Sequence, residues 1–351
     1  MKKIVGTIAA IALAASSAFA GVNVGMGFNP ALFSVGQASG GDLQTSLDCP
    51  FDSSPRVGVG FSAGNDVCGV VADLKFDGEK VAVNDNLYVW VKPLSWLKVQ
   101  LGSSYDDTLR GSFGFGLDGW LRPGNILNDD ITFDRLSRPG ALYAAPQGVI
   151  VALDPIEGLH IAGALNTGYG APVKAADVFE NAQIQAGYTI ANVAQIKAQW
   201  IGWKKTVNAA VALKAVENMT LEAGVYIPTE SEEKVEIGAF WGMPVGPVSL
   251  KVNARVALAK DDTQTTELKA GAGLDFDAGN GVGVGASVHF DQKFQKDVEH
   301  KAGIGFGAYV SKTIPNGMFG IALEGASNTK LREYAESDFT WAVPVKVQVG
   351  F

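Results

Sequence analysis

The sequence predicts an all-β chain, folded as one closed antiparallel transmembrane β-barrel of about 16–18 strands. Three observations predict it. Side chains alternate between apolar and polar with a period of two, the alternating segments run to about ten residues, and short connections alternate with long ones.

The chain begins with Lys2 and Lys3, an apolar run from Ile4 to Phe19, and the ending Ala18-Phe19-Ala20. A basic start, a short apolar stretch and a small-x-small site together predict a secretory (Sec) signal peptide over residues 1–20, cleaved near Ala20. The barrel is then expected over residues 21–351. Gly21 rather than Cys would lead the mature chain, so no lipid anchor is expected there. Losing Lys2 and Lys3 takes the net charge from −8 to −10. An acidic chain lacks the surplus Lys and Arg that phosphate backbones require, so no nucleic-acid partner is expected. Mean hydropathy is nevertheless positive, at +0.14, with no second long apolar run. A barrel reconciles these facts, because alternation dilutes its apolar residues.

The period of two is clearest from Val248 to Leu258. Val248, Leu250, Val252, Ala254, Val256 and Leu258 share one face, and Ser249, Lys251, Asn253 and Arg255 share the other. Successive strand side chains point to opposite sides of a sheet, so this segment has one apolar and one wet face. The same holds for Ala194–Trp200, Met219–Ile227, Glu267–Phe276 and Val282–Phe290. Soluble sandwiches alternate too, but the sorting of connections separates the cases. Short turns are predicted at 93–95, 154–158, 191–193, 215–218, 244–246, 278–280 and 314–316. Polar loops are predicted at 104–140, 167–179, 204–207, 228–233, 260–265, 291–300 and 327–338. Short periplasmic turns facing longer outer loops fit a bacterial barrel.

The chain closes on Phe339, Trp341, Val343, Val345, Val347, Val349 and Phe351, one apolar row ending in an aromatic. Before Trp96, Val67–Phe76 and Val81–Val91 form a further hairpin, and residues 21–62 have room for another. Cys49 and Cys68 are the only cysteines. An exported protein meets oxidising conditions, and the sequence leaves open whether the two pair. The strand count places Cys49 in an outer loop and Cys68 near a periplasmic turn, which opposes pairing.

Two stretches carry a family resemblance: Tyr88–Gly102 continuing to Asp107-Thr-Leu-Arg110-Gly111, and Pro155–Leu165. They resemble strand–turn–strand segments of porin-like outer-membrane barrels, in particular spirochaete-type exported barrels. The resemblance implies an outer-membrane location, and a channel for passive diffusion of small hydrophilic solutes. It implies outer-membrane lipid, periplasmic chaperones and the barrel-assembly machinery as partners, with Phe351 as the assembly signal. The alternative is a surface-exposed structural or adhesive barrel without transport.

Parity predicts the pore-lining charges Lys197, Lys214, Glu222, Glu236, Lys251, Arg255, Lys269 and Asp275. Rings or patches of charge in a pore tune which ions pass. The 104–140 loop carries Asp106, Asp107, Arg110, Arg122, Asp134, Arg135 and Arg138, and by resemblance to porins it is the candidate constriction. It either folds inward, with Trp120, Leu121 and Phe133 to bury, or stays outside as a solvated loop. No cofactor and no metal are expected. An enzymatic reading rests on Ser287, His289 and Asp291, but neighbours at i and i+2 stand side by side and do not converge, so no enzyme is expected.

Overall fold

The computed structural model describes residues 23–48, 56–77, 80–106, 108–109, 142–167, 172–230, 233–332, 334 and 336–350. β1 (Asn23–Ala38) turns into β2 (Gln44–Asp48), and β3 (Arg56–Gly64) continues in the same direction along the same edge of β1. Three strands follow: β4 (Cys68–Asp77), β5 (Lys80–Leu94) and β6 (Leu97–Asp106). Beyond the long loop come β7 (Leu142–Ile156) and β8 (Leu159–Asn166), then a short helix, α1 (Ala175–Glu180). The chain continues through β9 (Gln183–Ile190), β10 (Ala194–Ile201), β11 (Thr206–Leu213), β12 (Thr220–Pro228) and β13 (Val235–Val245). It ends with β14 (Val248–Leu258), β15 (Thr266–Asp277), β16 (Val282–Phe294), β17 (Gly303–Ile314), β18 (Gly317–Ser327) and β19 (Thr340–Gly350).

From β3 to β19 each strand pairs antiparallel with the next, and β19 pairs with the free edge of β1. The pairings therefore return to their start. Because β2 and β3 share one edge of β1, the nineteen described strands fill eighteen positions in the ring. No helix among the described residues is long and apolar enough to cross a membrane, which says nothing against crossing by strands.

The two ends of the ring differ. At one end the connections are tight, and Asn192, Asn218, Asn280 and Asn316 take the left-handed conformation there. Asn tolerates positive φ, because its short polar side chain bonds locally. At the other end lie the longer connections, including α1 and residues 328–339.

The two faces differ as well. Val252, Leu274, Val288, Phe306 and Leu323 stand on the outer face and are exposed. Alternate positions on the same strands, Lys251, Asn253, Arg255, Asp275 and His289, point inward and are buried. Such an arrangement is inverted relative to a water-soluble protein, where a continuous apolar exterior would be a liability.

Cys68 opens β4 at the tight-turn end as an exposed free thiol. Cys49 and Phe351 lie outside the described residues.

Candidate functional site

The inner wall is built by parity. Of the predicted lining charges, Lys197 on β10, Glu222 on β12, Glu236 on β13, Lys251 and Arg255 on β14, and Asp275 on β15 are buried on the inward face. Lys269 faces inward and is half-buried. Lys214 departs from the expectation. It follows the last residue of β11, in the connection at the tight-turn end, and is exposed. Parity assigns a face only while the strand continues, and β11 has ended there.

These charges do not project into open space. Lys251 Nζ donates to Asp275 Oδ2 at 3.1 Å, and the Tyr309 hydroxyl donates to the other carboxylate oxygen. Arg255 lies between two carboxylates, 3.4 Å from Glu236 and 3.9 Å from Glu267. Lys234 adds a 2.7 Å contact to Glu267. In an antiparallel ladder, inward residues on adjacent strands stand close enough for opposite charges to meet laterally. Along β13 to β15 the wall thus neutralises itself laterally. Glu222 and Lys197 are each only 1 % exposed, far drier than the wall of an unobstructed, water-filled tube.

A second feature explains part of that dryness: the stem of the long loop turns inward. Gly102 on β6 and Gly148 on β7 pair directly, and the register slips on the loop side of that pair. Gly102 has φ of +124°, a conformation L side chains rarely adopt. Beyond this hinge the hairpin leaves the wall. Gln100 Nε2 donates back to the Tyr105 carbonyl at 3.2 Å, which marks a sharp bend. Ala144 packs with Ile150, Ala152, Ala162 and Ala164, all buried. The last four are inward positions of β7 and β8, so the stem covers an apolar patch of the inner wall.

The tip of the described stem is held at three consecutive register positions. His160 on β8 pairs with Gly187 on β9, and Gly187 pairs with Lys197 on β10. His160 Nε2 meets Asp106 Oδ2 at 3.2 Å, and its Nδ1 meets Asp154 Oδ1 at 2.7 Å. Leu109 lies over Gly187, where an added Cβ would come within 2.5 Å of Leu109 Cδ2. Lys197 Nζ donates to the Leu109 carbonyl at 3.1 Å. Thr108 N–H caps Asp106 Oδ1 at 2.9 Å. Of the predicted loop residues, Asp106 is therefore the end of β6, buried against His160 rather than against an Arg or Lys. Asp107, Arg110, Arg122, Asp134, Arg135 and Arg138 lie outside the described residues, as do Trp120, Leu121 and Phe133.

A second inward segment lies about a third of the way round the ring and packs against its own part of the wall. Leu331 and Tyr334, between β18 and β19, are buried with Ala326 and Ala342. The Tyr334 hydroxyl bonds Ser34 Oγ at 2.8 Å, and Arg332 makes two bonds to buried Glu324. Sequence reading missed both this segment and the His160–Gly187–Lys197 row. A signal for the first stem was present: Val149, Ile150, Val151, Ala152 and Leu153 are apolar on both faces. A barrel strand apolar on both faces has something apolar packed inside it.

Ser287 and His289 share the inward face of β16 side by side, and His289 lies over Gly305. They form no converging pair of nucleophile and base.

No family model matches the chain, and no curated protein matches it. Solved structures do. The chain is similar to OccK3 (OpdO) of Pseudomonas aeruginosa, with a TM-score of 0.57 and 9% identity over 94% of this chain and 95% of that one. It is similar to the outer-membrane expressed OmpT of Vibrio cholerae, at a TM-score of 0.52 and 11% identity over 94% and 97% of the two chains. It is also similar to an anion-selective porin from Comamonas acidovorans, at 0.51 and 12% identity over 94% and 100%. At these identities the likeness is one of fold: an antiparallel barrel of the porin type. The narrower likeness to spirochaete-type barrels stays a reading of the sequence.

Proposed function

We propose that this chain is an outer-membrane channel for passive diffusion of small hydrophilic solutes, narrowed from within by the stem of its long loop. The observation that carries the reading is the inward-held stem, pinned by His160, Gly187 and Lys197 inside a ring whose wall is polar within and apolar without. An apolar outer belt fits lipid, and a charged inner wall fits hydrated solutes. The porin-type fold of the neighbours supports the same location and role. In this reading residues 1–20 are removed near Ala20, the tight turns face the periplasm, the longer loops face outward, and Phe351 is read during assembly. Charged and polar groups lining a narrowed path tune which ions pass.

The test is single-channel recording of the refolded protein in planar bilayers. Stepwise insertion of discrete, ohmic conductances is expected. A folded barrel that inserts and stays silent would move the structural or adhesive reading ahead.

A further inference from the structure

We infer that His160 is a positioning residue that latches the loop stem inside the ring, and that protonation of its ring sets the latch. The inference rests on the channel reading for its consequence, but the latch itself is a matter of geometry. Both ring nitrogens of His160 face carboxylate oxygens, Nδ1 toward Asp154 and Nε2 toward Asp106. An ionised carboxylate only accepts. A neutral imidazole donates from one nitrogen and presents a lone pair at the other, so it satisfies one of the two. Only the imidazolium, with two N–H groups, satisfies both. The arrangement therefore belongs to the charged ring.

The two carboxylates differ in what they do when the ring loses its proton. The Asp154 side chain is 59 % exposed at the tight-turn rim and turns readily to water. The Asp106 side chain is 5 % exposed and has no such outlet, so it loses its cation where a charge is least tolerated. Asp106 ends β6, two residues before the Thr108–Leu109 tip. Loosening it loosens the stem. The remaining charged groups around His160 do not replace the lost cation. On β9 the facing residue is Gly187, on β6 Lys98 lies 5.6 Å from the Trp90 ring centroid, Lys197 lies one strand further and donates to the Leu109 carbonyl, and Glu157 in the adjoining turn is exposed.

Two measurements on the full refolded chain test this together. The first is single-channel conductance from about pH 5 to about pH 9, the range in which imidazole changes charge. The second is hydrogen exchange of the backbone amides of residues 103–106 in detergent at one fixed pH. In the wild type, conductance should at least double toward the alkaline end. His160→Gln, which keeps the bulk but not the charge, should hold the raised level throughout with no step, and its stem amides should exchange faster. Asp154→Asn removes a carboxylate that favours the imidazolium, so it should keep the step and move it to lower pH. A merely structural histidine would give neither the step nor its displacement. A pH-flat wild type, or a His160→Gln variant with the wild-type step and exchange, overturns the latch. If no variant conducts but His160→Gln exchanges faster, the channel reading fails and the latch stands. If the wild type conducts and exchange is unchanged in His160→Gln, the channel reading stands and the latch fails.

Discussion

Leu109 occupies the space that a side chain at position 187 would fill: a Cβ on Gly187 would lie 2.5 Å from Leu109 Cδ2 and 2.9 Å from Cδ1. A residue of the long loop and a residue of the ring wall, three strands beyond β6, are thus made for each other.

Substituting that glycine should displace the stem. Gly187→Ala is expected to cost about 1–3 kcal/mol, as overpacking of a filled site does, and to raise channel conductance as the stem moves. Urea unfolding of the refolded protein reads the first effect and bilayer recording the second. Leu109→Ala on top of Gly187→Ala should recover most of the stability. A pair of additive penalties would mean that the two side chains do not share the space.

The Lys251–Asp275 pair is buried at 5 % and 2 % exposure. Removing either partner leaves the other without its counter-charge in a dry site, although Tyr309 still bonds Asp275. Lys251→Met alone or Asp275→Leu alone is expected to cost about 3–5 kcal/mol. The double substitution should cost far less than the sum, because no orphan charge remains. Equal, additive losses in a double-mutant cycle would contradict the pairing.

Faces should differ sharply between neighbours in sequence. Val252 is 46 % exposed on the outer belt and Asn253 is buried on the inner wall. An Arg at 252 is expected to cost about 2–4 kcal/mol of barrel stability near the bilayer midplane, with the cost falling toward the interfaces. An Arg at 253 should leave insertion intact and change ion selectivity instead. Reversal of the two outcomes would put β14 one residue out of register.

Much of this fold was legible in the sequence, and the reason is geometric. Val248–Leu258 is a strand with the expected faces because its alternation is unbroken, and the connections sort by length because each end of the ring has its own demands. Lys214 was misplaced because parity carries no information on where a strand stops. The lateral charge pairs were not legible, since they depend on cross-strand register: Lys251 stands opposite Gly273 and reaches Asp275 diagonally. The stem was half legible. Its length and polarity marked the loop, and the doubly apolar run Val149–Leu153 marked the wall it covers, but contact between Asp106 and His160, 54 positions apart, follows only from the bend at Gly102 and Gly148.

In the proposed channel, the loop stem held inside the ring narrows the conducting path. The most direct measurement compares single-channel conductance of the refolded wild type with a deletion of residues 116–134, the middle of the loop beyond the described stem. Larger conductance and weaker discrimination between ions are expected in the deletion. Unchanged conductance and selectivity would remove the loop as the constriction, and a wild-type barrel that inserts without conducting would contradict the channel itself.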